Sequence, residues 1–251
     1  MKEYLLDDRY IACAKTVSKG SSLKYYRDDY YYKVNSVGNE GFCEYLVSRV
    51  LSYSSIPNNL FVYYNYCKIN GLLGCRSKSF LGRNEDFITM EKVYQNVGGN
   101  RLADKLMYLP NASERLDFIL GMVGRYVNVK HYRDYLGTLL QLDLLILNTD
   151  RHTSNYGIIF NASTGKCRIP PIFDNGISLD TNRTGCKVSC TISGSFEDQV
   201  VTFGYPVKPY FTIDYKGLYE DLYRIQKTYG YHREIDVLKS RLEQYSYLFK
   251  R

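Results

Sequence analysis

The hydrophobic period of this chain changes near residue 95, and that change limits the folds open to it. Upstream, short runs rich in Tyr, Val, Ile and Phe alternate with turn clusters, the pattern of strands. Downstream, apolar residues recur at steps of three and four, the pattern of helices buried along one face. There is no internal repeat and no linker long enough to separate independent domains. The expected fold class is therefore α+β, with a β-rich N-lobe over 1–90 and a helical C-lobe over 91–251.

Within the first part, Lys24 to Asn35 reads as a hairpin turning at Arg27-Asp28-Asp29. Leu60 to Cys67 and Phe87 to Tyr94 read as further strands. Between the hairpin and these strands, Glu40 to Leu51 has helical spacing, with Phe42, Leu46 and Val50 on one face. In the second part, Asn111-x-x-Glu114 is a capping box that opens a helix through about Val127. A helix from about Tyr132 to Leu147 is apolar on most sides, which makes it the buried central one. The last helix, Arg233 to Phe249, carries Ile235, Leu238, Leu242, Tyr245 and Phe249 as a core stripe.

Composition narrows the setting. Of 251 residues, 45% are hydrophobic and 24% charged, which is globular usage and excludes wholesale disorder. The strongest apolar run, Leu142–Leu147, is far short of the roughly 18–20 residues needed to span a bilayer. Lys2, Glu3, Asp7, Asp8 and Arg9 leave no apolar core for a secretory signal, so the expected location is cytoplasmic with no membrane partner. The net charge of +7 favours polyanions, but without a long Lys/Arg block direct nucleic-acid binding is not expected. The seven cysteines read as buried thiols in a reducing compartment, and Cys186 and Cys190 lack the second pair a zinc site needs. The 27 tyrosines, with no Trp, read as sheet and cleft wall.

The chemistry concentrates in two stretches: Leu147-Asn148-Thr149-Asp150-Arg151-His152-Thr153-Ser154-Asn155 and Pro171-Ile172-Phe173-Asp174-Asn175-Gly176. Phosphoryl transfer needs a divalent cation to bridge phosphate oxygens and a carboxylate to orient the acceptor hydroxyl. Magnesium takes hard oxygen ligands, one or two of them carboxylates. On one loop, Asp150 can point at the acceptor while the Asn155 amide oxygen meets the metal. Asp174, on the far side of a small hairpin, can ligate the metal from the opposite side. Asp143, inside the preceding helix, reads as a supporting group.

In the first part, Lys33 closes the strand Tyr30-Tyr31-Tyr32-Lys33-Val34, where a lysine facing a cleft can meet the α- and β-phosphates of ATP. Such a lysine needs an acidic partner, and Glu40 and Glu44 are both placed to supply it. Upstream, Ser18-Lys19-Gly20-Ser21-Ser22 forms a Gly/Ser loop whose backbone N–H groups can cradle phosphates.

Together these residues resemble HipA-like serine/threonine kinases, bacterial proteins often found in toxin–antitoxin systems. The likeness is carried by Asn148-Thr-Asp150-Arg-His152-x-x-Asn155, Pro171-Ile-Phe-Asp174, Asn39-Glu40-Gly-Phe-Cys43 and Gly20-x-x-x-Lys24. The resemblance implies a bilobal protein-kinase-like fold and transfer of phosphate from ATP, with magnesium, to a protein serine or threonine. It implies Asp150 as the catalytic carboxylate, Asn155 and Asp174 as metal ligands, and Lys33 on the ATP phosphates. Gly20 and Ser21 would belong to the phosphate loop, Glu40 or Glu44 to the lysine's support, and His152 to the bracing of the catalytic loop. Glu91 would mark the hinge that meets adenine through its backbone. A protein substrate and an antitoxin are the partners it implies. Lys19 stands where the family usually carries a regulatory serine, which leaves Ser18, Ser21 and Ser22 as the loop's phosphate acceptors. The Asp-Arg-His-x-x-Asn string also resembles the catalytic loop of phosphatidylinositol-3/4-kinase-type enzymes. The rival readings are thus a small-molecule or lipid kinase, or a nucleotide-binding pseudokinase acting as an interaction module.

Overall fold

The computed structural model describes residues 1–12, 22–36, 38–180 and 209–249. Ser18, Lys19, Gly20, Ser21, Cys186 and Cys190 lie outside the described residues, and with them the core of the expected phosphate loop.

The first sheet contains β1 (Glu3–Tyr4), β2 (Lys24–Arg27), β3 (Tyr30–Val34), β4 (Tyr64–Ile69) and β5 (Leu72–Lys78). Their order is β1-β4-β5-β3-β2, antiparallel except for the β1–β4 pair. The β2–β3 hairpin turns as expected at Asp28 and Asp29, both with positive φ (51° and 62°). Two left-handed central residues match the right-handed twist of the strands, and Asp tolerates that conformation. One face of this sheet buries Leu6, Tyr25, Tyr32, Val34, Cys67 and Ile69. The expected Leu60–Cys67 strand begins later and runs on to Ile69, because Asn58–Leu60 closes as a 3₁₀ turn.

Helix α1 (Glu40–Ser52) packs on β4 and β5. The approach is close because both sides supply glycine: a Cβ on Gly41 would stand 2.5 Å from the Gly74 carbonyl carbon. The C-terminal helices grip α1 from its other side. The rings of Phe42 and His232 stack with centroids 3.8 Å apart, Asn39 donates to Glu234 (2.8 Å), and Arg49 pairs with Asp221 (2.6 Å).

The second sheet is β6 (Glu85–Thr89), β7 (Gly157–Asn161) and β8 (Lys166–Arg168), paired in that order. The expected Phe87–Tyr94 strand breaks at Thr89. The Thr89 hydroxyl accepts the Lys92 N–H (3.1 Å) and opens α2 (Met90–Asn96), so an N-cap overrides the strand-like composition.

Beyond α3 (Leu102–Met107), helix α4 (Ala112–Tyr126) opens at the expected box: the Asn111 amide oxygen accepts the Glu114 N–H (2.9 Å). Helix α5 (Tyr132–Ile146) is the buried central helix, with Leu136, Leu142, Leu144, Leu145 and Ile146 fully enclosed. Each such side chain contributes about 1.5–3 kcal/mol of transfer free energy. The helix stops at Leu147, which takes φ +52°, a conformation that strains a γ-branched side chain and turns the chain sharply. Helix α6 (Tyr215–Tyr229) follows. The expected last helix is two, α7 (Arg233–Gln244) and α8 (Ser246–Phe249), with a break at Tyr245. Of the described cysteines, Cys43, Cys67 and Cys75 are buried and Cys167 is half-buried. Among the described residues no helix is long and apolar enough to cross a membrane.

Candidate active site

A cleft of about 700 Å³, counting the space open to solvent, lies under the first sheet. One end is apolar, walled by Val62, Phe80, Leu81, Phe87 and Phe173. The three phenylalanines pack as a cluster, with Phe173 5.2 Å from Phe80 and 5.1 Å from Phe87 between ring centroids. The other end is charged, with Lys24, Lys33, Glu44 and Asp174. Tyr31 and Tyr64 complete the wall, as expected for part of the tyrosine content.

Lys33 is the centre of the charged end. Its Nζ lies 2.9 Å from Asp174 Oδ1 and 3.4 Å from Glu44 Oε1. Burial alone would lower its pKa, but the two carboxylates outweigh burial and raise it. Asp174 shows the converse: burial favours its neutral form, yet Lys33, then Lys24 and Arg151, hold its carboxyl well below the usual range. Lys24 stands opposite Lys33 in the β2–β3 register, and burial lowers its pKa. Asp174 takes φ +60°, a left-handed turn of the kind Asp tolerates. Gly176 lets this segment pass against α1, since a Cβ there would stand 3.1 Å from the Glu40 Cβ.

Of the two acids proposed for Lys33, the structure brings Glu44 to it. Glu40 turns the other way, accepting the Ser36 N–H (3.3 Å), the Ser36 hydroxyl (3.1 Å) and the Gly38 N–H (3.1 Å). The cofactor-side role expected of Glu40 is therefore corrected: it shapes the entry to α1. Four residues on, one helical turn carries Glu44 under the sheet, where it also accepts the Asn175 N–H (2.9 Å).

Glu91 is a second correction. It does not line the cleft, and its N–H is donated to the Thr153 carbonyl (2.9 Å). Its carboxylate caps α3 through Leu102 and Ala103 and accepts the Thr153 hydroxyl. Ser79, Phe80 and Leu81, directly after β5, occupy the apolar end instead. The run after Lys78 gave no motif in the sequence that marked it.

The Asp150 loop leaves α5 at Leu147 and is tied by its own side chains. The Asn155 amide donates to the Asp150 carbonyl, and its oxygen accepts the His152 N–H (2.9 Å). His152 Nδ1 accepts the Ser154 N–H (3.1 Å), and Asn148 Oδ1 accepts the Asp150 N–H (3.0 Å). Burial pushes the Asp150 carboxyl above its usual range. The charge of Asp174 adds to that, while His152, Arg151 and Lys33 act against it, so the field of the Lys33–Asp174 pair reaches Asp150. Arg151, which the sequence reading passed over, lies fully buried between the two stretches.

Among the described residues no three His, Cys, Asp or Glu side chains stand close enough to hold a metal unaided. Of the two expected metal ligands, the Asp174 carboxylate lines the cleft, whereas Asn155 is buried outside its lining, with its amide oxygen on the His152 N–H and its amide on the Asp150 carbonyl. Magnesium takes one or two carboxylates and completes its shell with phosphate and water, so the fit here rests on the Asp174 carboxylate.

No family model matches the chain, and no curated protein matches it. Solved structures do. The crystal structure of a Helicobacter pylori proinflammatory kinase, CtkA, matches with a TM-score of 0.60 at 14% identity, covering 98% of this chain and 94% of that one. A chain from the Shewanella oneidensis MR-1 complex of HipA, HipB and operator DNA matches with a TM-score of 0.44 at 13% identity, covering 96% of this chain and 57% of that one. The α+β architecture expected from the sequence is thus the fold of a solved kinase.

Proposed function

We propose that this protein is a kinase that transfers the γ-phosphoryl group of ATP to a serine or threonine hydroxyl of another protein. The observation that carries this reading is a single cleft, aromatic at one end and charged at the other, with Lys33 held between Glu44 and Asp174. A nucleotide has the matching polarity: a flat base that stacks on aromatic rings and an anionic tail that needs cations. Lys33 and Lys24 would meet the phosphates, and Glu44 would keep Lys33 extended. Magnesium, when bound, supplies charge neutralisation on the phosphate oxygens, with Asp174 and Asn155 as the residues that would hold it. Asp150 would orient the acceptor hydroxyl and take its proton, a task its raised pKa suits.

The test is incubation of the protein with γ-labelled ATP and magnesium, against a panel of protein acceptors and, in parallel, lipids and small metabolites. Label on serine or threonine supports the reading, and label confined to a lipid or metabolite overturns it. Asp150→Ala should reduce transfer by about 10²–10⁴-fold with an unchanged melting temperature. The sequence resemblance is the ground for an antitoxin partner, and co-purification with a small protein encoded beside this one is the measurement for it.

A further inference from the structure

The two stretches that bear the chemistry come from separate parts of the chain, and one side chain grips both. The Arg151 guanidinium has five N–H donors and all five are used. Two meet Asp143 on α5, through Nε (3.0 Å) and Nη2 (3.1 Å). The others go to the Asn155 carbonyl (3.3 Å), the Phe173 carbonyl (3.0 Å) and Asn175 Oδ1 (2.7 Å). Asp150 directly precedes Arg151, and Asp174 lies between the two residues it holds in the second stretch. Asn175 in turn donates its N–H to Glu44, the partner of Lys33. The bonds therefore run without a break from α5 through Arg151 to the Asp174 segment, to α1 and to Lys33.

We propose that Arg151 is a positioning residue that fixes Asp150 relative to Asp174, resting on the kinase reading above for what that geometry serves. A buried ion pair is a poor stabiliser, because desolvating both charges costs about as much as their attraction returns. Two apolar side chains of similar volume can serve as a strut in its place. They cannot reproduce three directed bonds to two loops. Nor can lysine, whose ammonium is a compact point charge with no fork.

The experiment uses Asp143→Leu/Arg151→Met, which leaves no buried charge unpaired but also removes the Asn148 bond to Asp143 (2.9 Å), and Asn175→Ala, which keeps that bond and the Asp143–Arg151 pair and so isolates the Arg151 link. Amide hydrogen exchange is read at Asn155 and Asn175 without any ligand, beside global stability and phosphotransfer. Exchange at these amides at least about tenfold faster than any change in global stability accounts for, with transfer reduced about 10–100-fold, is the expected result. Arg151→Lys should fail to rescue either quantity. Wild-type exchange at both amides in both variants would overturn the proposal and leave Arg151 a strut. A wild-type protein that transfers no phosphate would sink the kinase reading instead, while the exchange data still decide the role of Arg151.

Discussion

Replacing Lys33 with methionine removes the cation from between two buried carboxylates, and the structure sets the size and pH dependence of the result. The Glu44 side chain is 1% exposed, whereas Lys33 and Asp174 keep 20% and 21% exposure, so water softens the penalty on Asp174 but not on Glu44. Removing one partner of a buried pair costs about 3–5 kcal/mol, and the partial exposure places Lys33→Met near the lower figure at pH 7. For a chain of this length that corresponds to a fall of about 6–12 °C in Tm. The sign of the pH dependence follows from the pKa directions. Asp174, held below its usual range, contributes stability above its unfolded pKa of about 3.9 and loses it as pH falls through the depressed value. Lys33, held above its usual value, contributes stability below its unfolded pKa of about 10.4. In the variant both carboxyls take up protons in mildly acidic solution, so the deficit against wild type should be full at pH 7 and shrink towards pH 4. Denaturant melts of both proteins at pH 4, 5.5 and 7 measure it. A deficit under about 1 kcal/mol at pH 7, or one that does not change with pH, would refute the reasoning.

Other substitutions probe separate links. Gly41→Val drives a side chain into the Gly74 backbone and should lift α1 from the sheet, costing about 1–3 kcal/mol and weakening ATP binding through the loss of the Lys33–Glu44 pair; thermal melts and nucleotide titration measure the two effects. His232→Ala removes the ring stacked on Phe42 and should cost about 0.5–1.5 kcal/mol in a denaturant melt, showing that the C-terminal helices seat α1. Asn111→Ala removes the α4 cap and should cost about 1 kcal/mol while leaving any phosphotransfer rate unchanged.

Much of this was legible in the sequence where a local signal and the tertiary fold agree. The Asp28-Asp29 turn, the Asn111 cap and the helix from about Tyr132 to Leu147, apolar on most sides, each have one physical solution. The loop that carries Asp150 and Asn155 was legible because it is a short polar run closing an apolar helix. What was hidden depended on partners far along the chain. Glu40 and Glu44 lie on one helix face in sequence terms, and only the seating of α1 on Gly74 decides which meets Lys33. Strand β5 lacks a clean alternation, so neither it nor the Ser79-Phe80-Leu81 segment after it stood out, and the family resemblance put the hinge at Glu91 instead. The Thr89 cap was visible only as a common residue in a β-rich run. Helix α6 did carry a signal, Leu218, Leu222 and Ile225 at helical spacing, and these are the residues it buries. Arg151 was hidden because a buried arginine is rare, although its partner Asp143 already read as a supporting group inside the apolar helix.

The most direct test of the account is a crystal structure of the protein with magnesium and a non-hydrolysable ATP analogue. The account predicts the base against Phe80, Phe87 and Phe173, the phosphates at Lys33, and one magnesium ion between them and the side chains of Asp174 and Asn155. A nucleotide bound elsewhere, or bound in the cleft with its phosphates turned away from Lys33 and Asp174, would contradict it.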